Sequence, residues 1–334
     1  MAKIVLGIGT SHSPMLHLSP EEWKLREASD KRNPELWFQG KQYNFEQLHE
    51  LRAGDHFERE ITDEKRKARH DACQAAIAHL GETLDRVAPD VCVILGDDQH
   101  ESFHDDNMPT FSVYWGQTVD DERPVEDERS RQFGLMTTPL SNAPEGRVSH
   151  PTDAVLGRHI IESMMEYGFD VSHSKQLPKG RRGDVIGHAF NFAYRRLMNN
   201  EVIPNVPIFV NTYYPPNQPT MKRCWDFGVA LRQAIESMDS AARVAVIASG
   251  GLSHFVVEED LDQHILEGLK EGTPDKLTDM PNSHFNSGTS EIRNWVILGG
   301  AIAGDGLQMS LIDYVPCYRS VAGTGFGGAF AEWQ

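Results

Sequence analysis

Residues 4–9, 91–96, 206–212 and 244–249 are short runs rich in Val and Ile that stop at glycine or polar residues. Such continuous apolar runs suit strands covered on both faces, because a strand with one wet face would alternate. A later run at 315–322 reads as a weaker strand, since Pro316 and Cys317 interrupt it. Helical patterns lie between the runs. Residues 64–87 set Ala72, Ala75, Ala76, Leu80 and Leu84 on one stripe. Residues 153–167, 187–198, 221–238 and 261–269 show similar stripes. Pro219-Thr220 and Asp170 supply boundary signals. The alternation predicts an α/β fold: one large sandwich around a central sheet, with its site beyond the C-terminal ends of the strands and residues 1–334 forming a single domain.

Two stretches break the rhythm. Residues 16–60 mix Trp23, Trp37, Phe38, Tyr43, Phe45 and Phe57 with many charges, and Pro20 and Pro34 interrupt them. They read as a mobile or partly helical cover over a pocket, or as a plain surface excursion. Residues 117–131 are strongly charged and read as a solvated loop. The net charge of −17 disfavours a nucleic-acid partner, whose phosphates need a basic surface. No run reaches the roughly eighteen apolar residues of a membrane span. The opening MAKIVLGIGTSHSP reads as a first strand rather than an export signal. Cys73, Cys92, Cys224 and Cys317 are scattered without a CxxC pair, which suits reduced thiols in the cytoplasm.

Histidines recur where the runs stop. His12 follows residues 4–9, His100 follows VCVILGDDQ and His254 follows VAVIASGGLS. Ser11 and Ser13 flank His12, yet no G-x-S-x-G elbow, H-E-x-x-H helix, P-loop or G-x-G-x-x-G fingerprint is present. Two imidazoles and one carboxylate would instead make a metal centre with positions left open for substrate and dioxygen. Asp97, Asp98, Glu101 and Glu291 are the candidate carboxylates, and Glu291 opens the apolar pattern EIRNWVILGGAIAG. A hydrolase using the same groups to activate water is a rival reading, as is a non-catalytic metal-binding protein.

GIGTSHSP, VILGDDQHESF, NMPTF, GHAFNF, IFVNTYYPP, ASGGLSH and SGTSEIRNW occur in that order. In this the chain resembles the class III extradiol ring-cleavage dioxygenases, the superfamily of the protocatechuate 4,5-dioxygenase catalytic subunit and its gallate and 3-O-methylgallate relatives. The resemblance implies Fe(II) and ring opening beside an aromatic diol with dioxygen. It implies His12, His100 and Glu291 as iron ligands, His254 as acid–base residue and His188 as a holder of substrate hydroxyls. Gln99 stands where relatives often carry Asp, so His104 is the alternative second histidine. Asn211, Tyr214 and Arg293 are candidate substrate contacts, with Arg293 poised for a carboxylate. Arg293 lies about 200° around a helix from Glu291, which would turn it away from iron. The expected substrate is a carboxylated catechol, with a 2-aminophenol as rival. A homo-oligomer is left open.

Overall fold

A computed structural model describes residues 1–123, 142–179 and 184–334. The chain begins with β1 (Lys3–Thr10), α1 (Trp23–Asp30), the hairpin β2 (Leu36–Phe38) and β3 (Lys41–Tyr43), α2 (Phe45–Leu51), α3 (Asp63–Val87) and β4 (Val91–Asp97). It continues through β5 (Phe111–Tyr114), β6 (Thr118–Asp121), β7 (Val148–Pro151), α4 (Ala154–Glu166), β8 (Ser172–Ser174), α5 (His188–Phe192) and β9 (Asn205–Val210). The last part comprises α6 (Met221–Ser237), β10 (Arg243–Ser249), β11 (His254–Val256), α7 (Glu259–Glu271), α8 (Asp275–Thr278), α9 (Ile292–Ile302), β12 (Met309–Tyr318) and β13 (Thr324–Trp333).

The main sheet runs β11-β13-β1-β10-β4-β9-β5-β8, with β12 on the other edge of β13. Strands β1, β10, β4 and β9, the four apolar runs of the sequence, are neighbours and mutually parallel. Alternation sends Val91, Val93 and Leu95 into one core with α4, α6, α7 and α9. Cys92 and Ile94 point into a second core with α3, α5 and β12. Both faces are therefore dry, which is why these runs show no polar alternation. The mixed α/β sandwich expected from the sequence is the fold observed.

Some boundaries differ from expectation. The weak strand at 315–322 is the end of β12, and residues 319–323 turn the chain into β13, whose ten residues are all buried. Glycines and alanines dilute the apolar signal of β13, so periodicity misses it. The charged stretch at 117–131 is not wholly loop: Thr118–Asp121 pairs with β7, and residues 124–131 lie outside the described residues. Residues 16–60 are folded. Leu36, Phe45 and Leu48 form a small core with Val256 of β11. Asp30 accepts Arg319 Nε and Nη2 at 2.7 and 2.6 Å, and Thr324 Oγ1 at 2.6 Å. Among the described residues, no helix is long and apolar enough to cross a membrane.

Candidate metal centre and active site

The C-terminal ends of the parallel strands converge. His12 follows β1, Asp97 ends β4, and Ser249 ends β10. Helix α9 brings the fourth wall. A Cβ on Gly9 would collide with the Trp295 ring, so glycine lets α9 lie against the end of β1. Trp295 Nε1 also donates to Gly250 O at 2.7 Å, fixing the helix over the strand ends. Glu291 closes the 3-10 turn Ser287–Glu291 just before α9, at a helix start where a carboxylate is favoured.

Four residues, His12, Asp97, His188 and Glu291, each offer one donor atom, all within 4.8 Å of one another. Hydrogen bonds fix how the imidazoles face. Ser249 Oγ donates to Ala189 O at 2.6 Å, so it accepts from His12 Nδ1 at 3.0 Å. That leaves the lone pair of a neutral His12 on Nε2. His12 Nε2 lies 3.1 Å from Glu291 Oε2 and 3.8 Å from Asp97 Oδ1. His188 Nδ1 donates to Glu101 Oε2 at 2.8 Å, which turns Nε2 towards Asp97 Oδ2 at 3.7 Å. An outer carboxylate fixing the ring of an imidazole in this way is the usual support of a metal ligand.

The donor set fits a divalent cation. His12 Nε2 and Asp97 Oδ1 are buried without a hydrogen-bond partner. Lone pairs gathered in a largely buried site repel unless a cation or proton lies among them. Burial, and then the charge of Glu291, push the Asp97 carboxyl above its usual range. Burial alone would do the same to Glu291, but His254 and His12 hold its carboxyl well below that range. Two imidazoles with two carboxylates suit a first-row metal of intermediate hardness.

His254 stands beside this group. Its Nδ1 donates to Leu252 O at 2.8 Å, and its Nε2 is 3.1 Å from Glu291 Oε1. Burial disfavours charge on this ring, yet Glu291 outweighs burial and raises its pKa above the ordinary histidine value. A Cβ on Gly288 would meet the His254 ring, so that glycine makes room for the imidazole. His254 Nε2 thus faces the donor group, with Glu291 favouring the charged form of the ring.

The other expected site residues are not among these four donors. His100 is not one of the four donors. Its backbone is left-handed (φ 56°), and its ring stacks on Tyr214 at 3.7 Å with the planes 2° apart. His100 Nε2 is 3.4 Å from Asp105, and His104 stacks beyond it at 5.4 Å. Asn211 binds its own loop through Tyr214 N, Tyr214 O and Asn217 Oδ1. Arg293 is buried, and its Nε and Nη1 donate to the carbonyls of Pro219, Thr212, Phe285 and Ser290. It braces the loops around the start of α9.

Residues 60–325 match the family model of the catalytic LigB subunit of aromatic ring-opening dioxygenase. The chain belongs to this family. Gallate dioxygenase of Pseudomonas putida is 29% identical to it over 183 residues, 51% of this chain and 51% of that protein. The 2,3-dihydroxyphenylpropionate/2,3-dihydroxicinnamic acid 1,2-dioxygenase of Comamonas testosteroni is 24% identical over 187 residues, 55% of this chain and 49% of that protein. The chain spans about half the length of the curated relatives it matches. In this LigB-family chain, Asp97 belongs to the donor group, and Gln99 and Glu101 contact its carboxylates and His188. The sequence offered a signal for them, an acid-rich turn directly after an apolar strand, but no means of telling which side chains turn inward.

Proposed function

We propose that this protein uses Fe(II) and dioxygen to open a catechol-type ring beside its diol, on a carboxylated substrate of the gallate, 3-O-methylgallate or protocatechuate type. The observation carrying this reading is the group His12, Asp97, His188 and Glu291, buried except for the half-buried His188, with His254 Nε2 beside it. His12, His188 and Glu291 would hold the iron, with Asp97 as a further oxygen donor. His188 replaces His100 in this assignment because Glu101 aims it at the group. Iron, when bound, supplies a place for the diol oxygens and dioxygen to meet. His254 takes or returns a proton at Nε2, where Glu291 steadies the charged ring. Tyr214 and His100 form a flat stacked face for an aromatic ring to lie near. Family membership supports ring opening, and the names of both relatives describe hydroxylated aromatic carboxylates. Residues 16–60 act as a cover on the His254 side, since they pack on β11. The four cysteines, all buried and unbridged, accord with a reducing cytoplasm.

A cleavage assay by oxygen uptake tests the reaction, with anaerobically loaded Fe(II) and the three acids beside plain catechol, a biphenyl catechol and 2-aminophenol. The carboxylated catechols should show the highest kcat/KM. A clear preference for plain catechol or 2-aminophenol would remove the carboxylate from the proposal. For the ligands, His12→Ala and His188→Ala should lose bound iron while remaining folded, whereas His100→Ala should retain it. Iron loss in His100→Ala with retention in His188→Ala would restore the ligand set suggested by the resemblance.

A further inference from the structure

The turn after β4 places an uncharged side chain between two carboxylates. Asp98 accepts Ser102 N at 2.8 Å and Phe103 N at 3.1 Å, which fixes the turn and leaves Gln99 directed at the donor group. Gln99 Nε2 then lies 3.1 Å from Asp97 Oδ2 and 3.2 Å from Glu291 Oε1. Both neighbours are carboxylate oxygens. The amide must present its NH2 to them, because the flipped carbonyl would face two acceptors. We propose that Gln99 is a positioning residue of the metal centre: its NH2 brackets Asp97 and Glu291 by one oxygen each, so that both carboxylates offer their other oxygen to the cation. This rests on the reading of the four-residue group as a metal centre.

The remaining geometry agrees with a bracket. The oxygens that Gln99 does not touch, Asp97 Oδ1 and Glu291 Oε2, are the two on the His12 side, at 3.8 and 3.1 Å from Nε2. Glu291 Oε2 is also steadied by Gly251 N at 2.7 Å. A carboxylate with one oxygen engaged by an amide binds a metal through the other, which keeps positions free for diol and dioxygen. A carboxylate free to rotate could close on the ion with both oxygens and fill one of them. Gln99 therefore helps to keep the centre open without being a ligand itself.

Anaerobic Co(II) titration of the purified protein, read by the visible ligand-field bands, tests the bracket apart from any ring cleavage. Gln99→Met keeps the length and removes the donor. It should weaken Co(II) binding about 10–100-fold, the range seen when an outer partner of a ligand is lost, with circular dichroism and Tm close to wild type. The same change made on Asp97→Ala should cost much less, because one of the bracketed carboxylates is gone. Asp97→Asn, which keeps the shape but not the charge, serves in place of Ala if that variant does not fold. Unchanged affinity in Gln99→Met overturns the proposal. So does an equal loss with and without Asp97, which would make Gln99 a ligand or a plain structural residue. A wild-type protein that takes up no Co(II) or Fe(II) defeats the metal reading itself, an outcome distinct from the other two.

Discussion

At the residue scale, function depends on which nitrogen of each imidazole is already engaged. His12 and His188 each give Nδ1–H to an oxygen outside the donor group, and His254 gives its Nδ1–H to Leu252 O. All three Nε2 atoms consequently face inward, where the proposed reaction would use two as donors to a cation and one as a proton carrier. Replacement of His254 by Gln should leave iron content near wild type and lower kcat by about 10²–10⁴-fold, because glutamine can hydrogen-bond but cannot relay a proton. Single-turnover rates measured under saturating catechol and oxygen check this, and equal rates in the two proteins would remove His254 from proton transfer. Spacing alone could not separate His100 from His188. His100 follows a strand as a ligand should, but its backbone is left-handed and its ring stacks on Tyr214.

At the element scale, the excursion at 16–60 is joined to the body by a buried ion pair rather than by apolar contact alone. Asp30 at the end of α1 meets Arg319 after β12, and both side chains are almost wholly buried. Arg52 adds a second tie, with its Nη1 on Val257 O at 3.0 Å and its guanidinium over the rings of Phe38 and Phe57. Asp30→Asn would leave the Arg319 charge buried without its partner, and breaking such a pair costs roughly 3–5 kcal/mol. The expected outcome is a lower Tm together with faster proteolysis inside residues 16–60. Limited digestion with mass spectrometry locates the cuts, and a wild-type digestion pattern with unchanged Tm would show that the ion pair does not hold the excursion down. Its aromatic anchors were visible in the sequence. Its partners were not, because Asp30 and Arg319 are separated by most of the chain.

At the scale of the whole molecule, the burial of acids links stability to pH. Glu258, between Arg52, Asp262 and the Gln39 amide, is pushed up to about 7 from 4.5, chiefly by burial. Asp262 is likewise pushed up to about 6 by burial, against hydrogen bonds from Ser253 and Tyr314. A carboxyl with a raised folded-state pKa binds more protons folded than unfolded. Its stabilising contribution is complete below the unfolded value and is lost as pH rises towards the folded one. For Glu258 the window runs from about 4.5 to about 7. Glu258→Gln removes this proton linkage, so the fall in unfolding free energy across the window should shrink by on the order of 2 kcal/mol. Urea unfolding at several pH values measures the slope, and parallel curves for variant and wild type would show that Glu258 stays charged in the folded protein.

The sequence by itself determined the layered fold, because four uninterrupted apolar runs have no stable place except a sheet dry on both faces. It also determined that polar chemistry collects at the strand ends, since His12, Asp97 and Ser249 follow from where those runs stop. It marked Glu291 through the helix that begins beside it. Only the tertiary structure decided the rest. His188 joins the donor group with its ring aimed by Glu101, from another loop, and Arg293 is held by four carbonyls from separate loops. Gln99 gains its place only when Asp97 and Glu291, far apart in the chain, meet on either side of its amide. Strand and helix periods report how one segment meets a core, whereas the facing of a side chain in a loop is set by partners that folding brings from elsewhere.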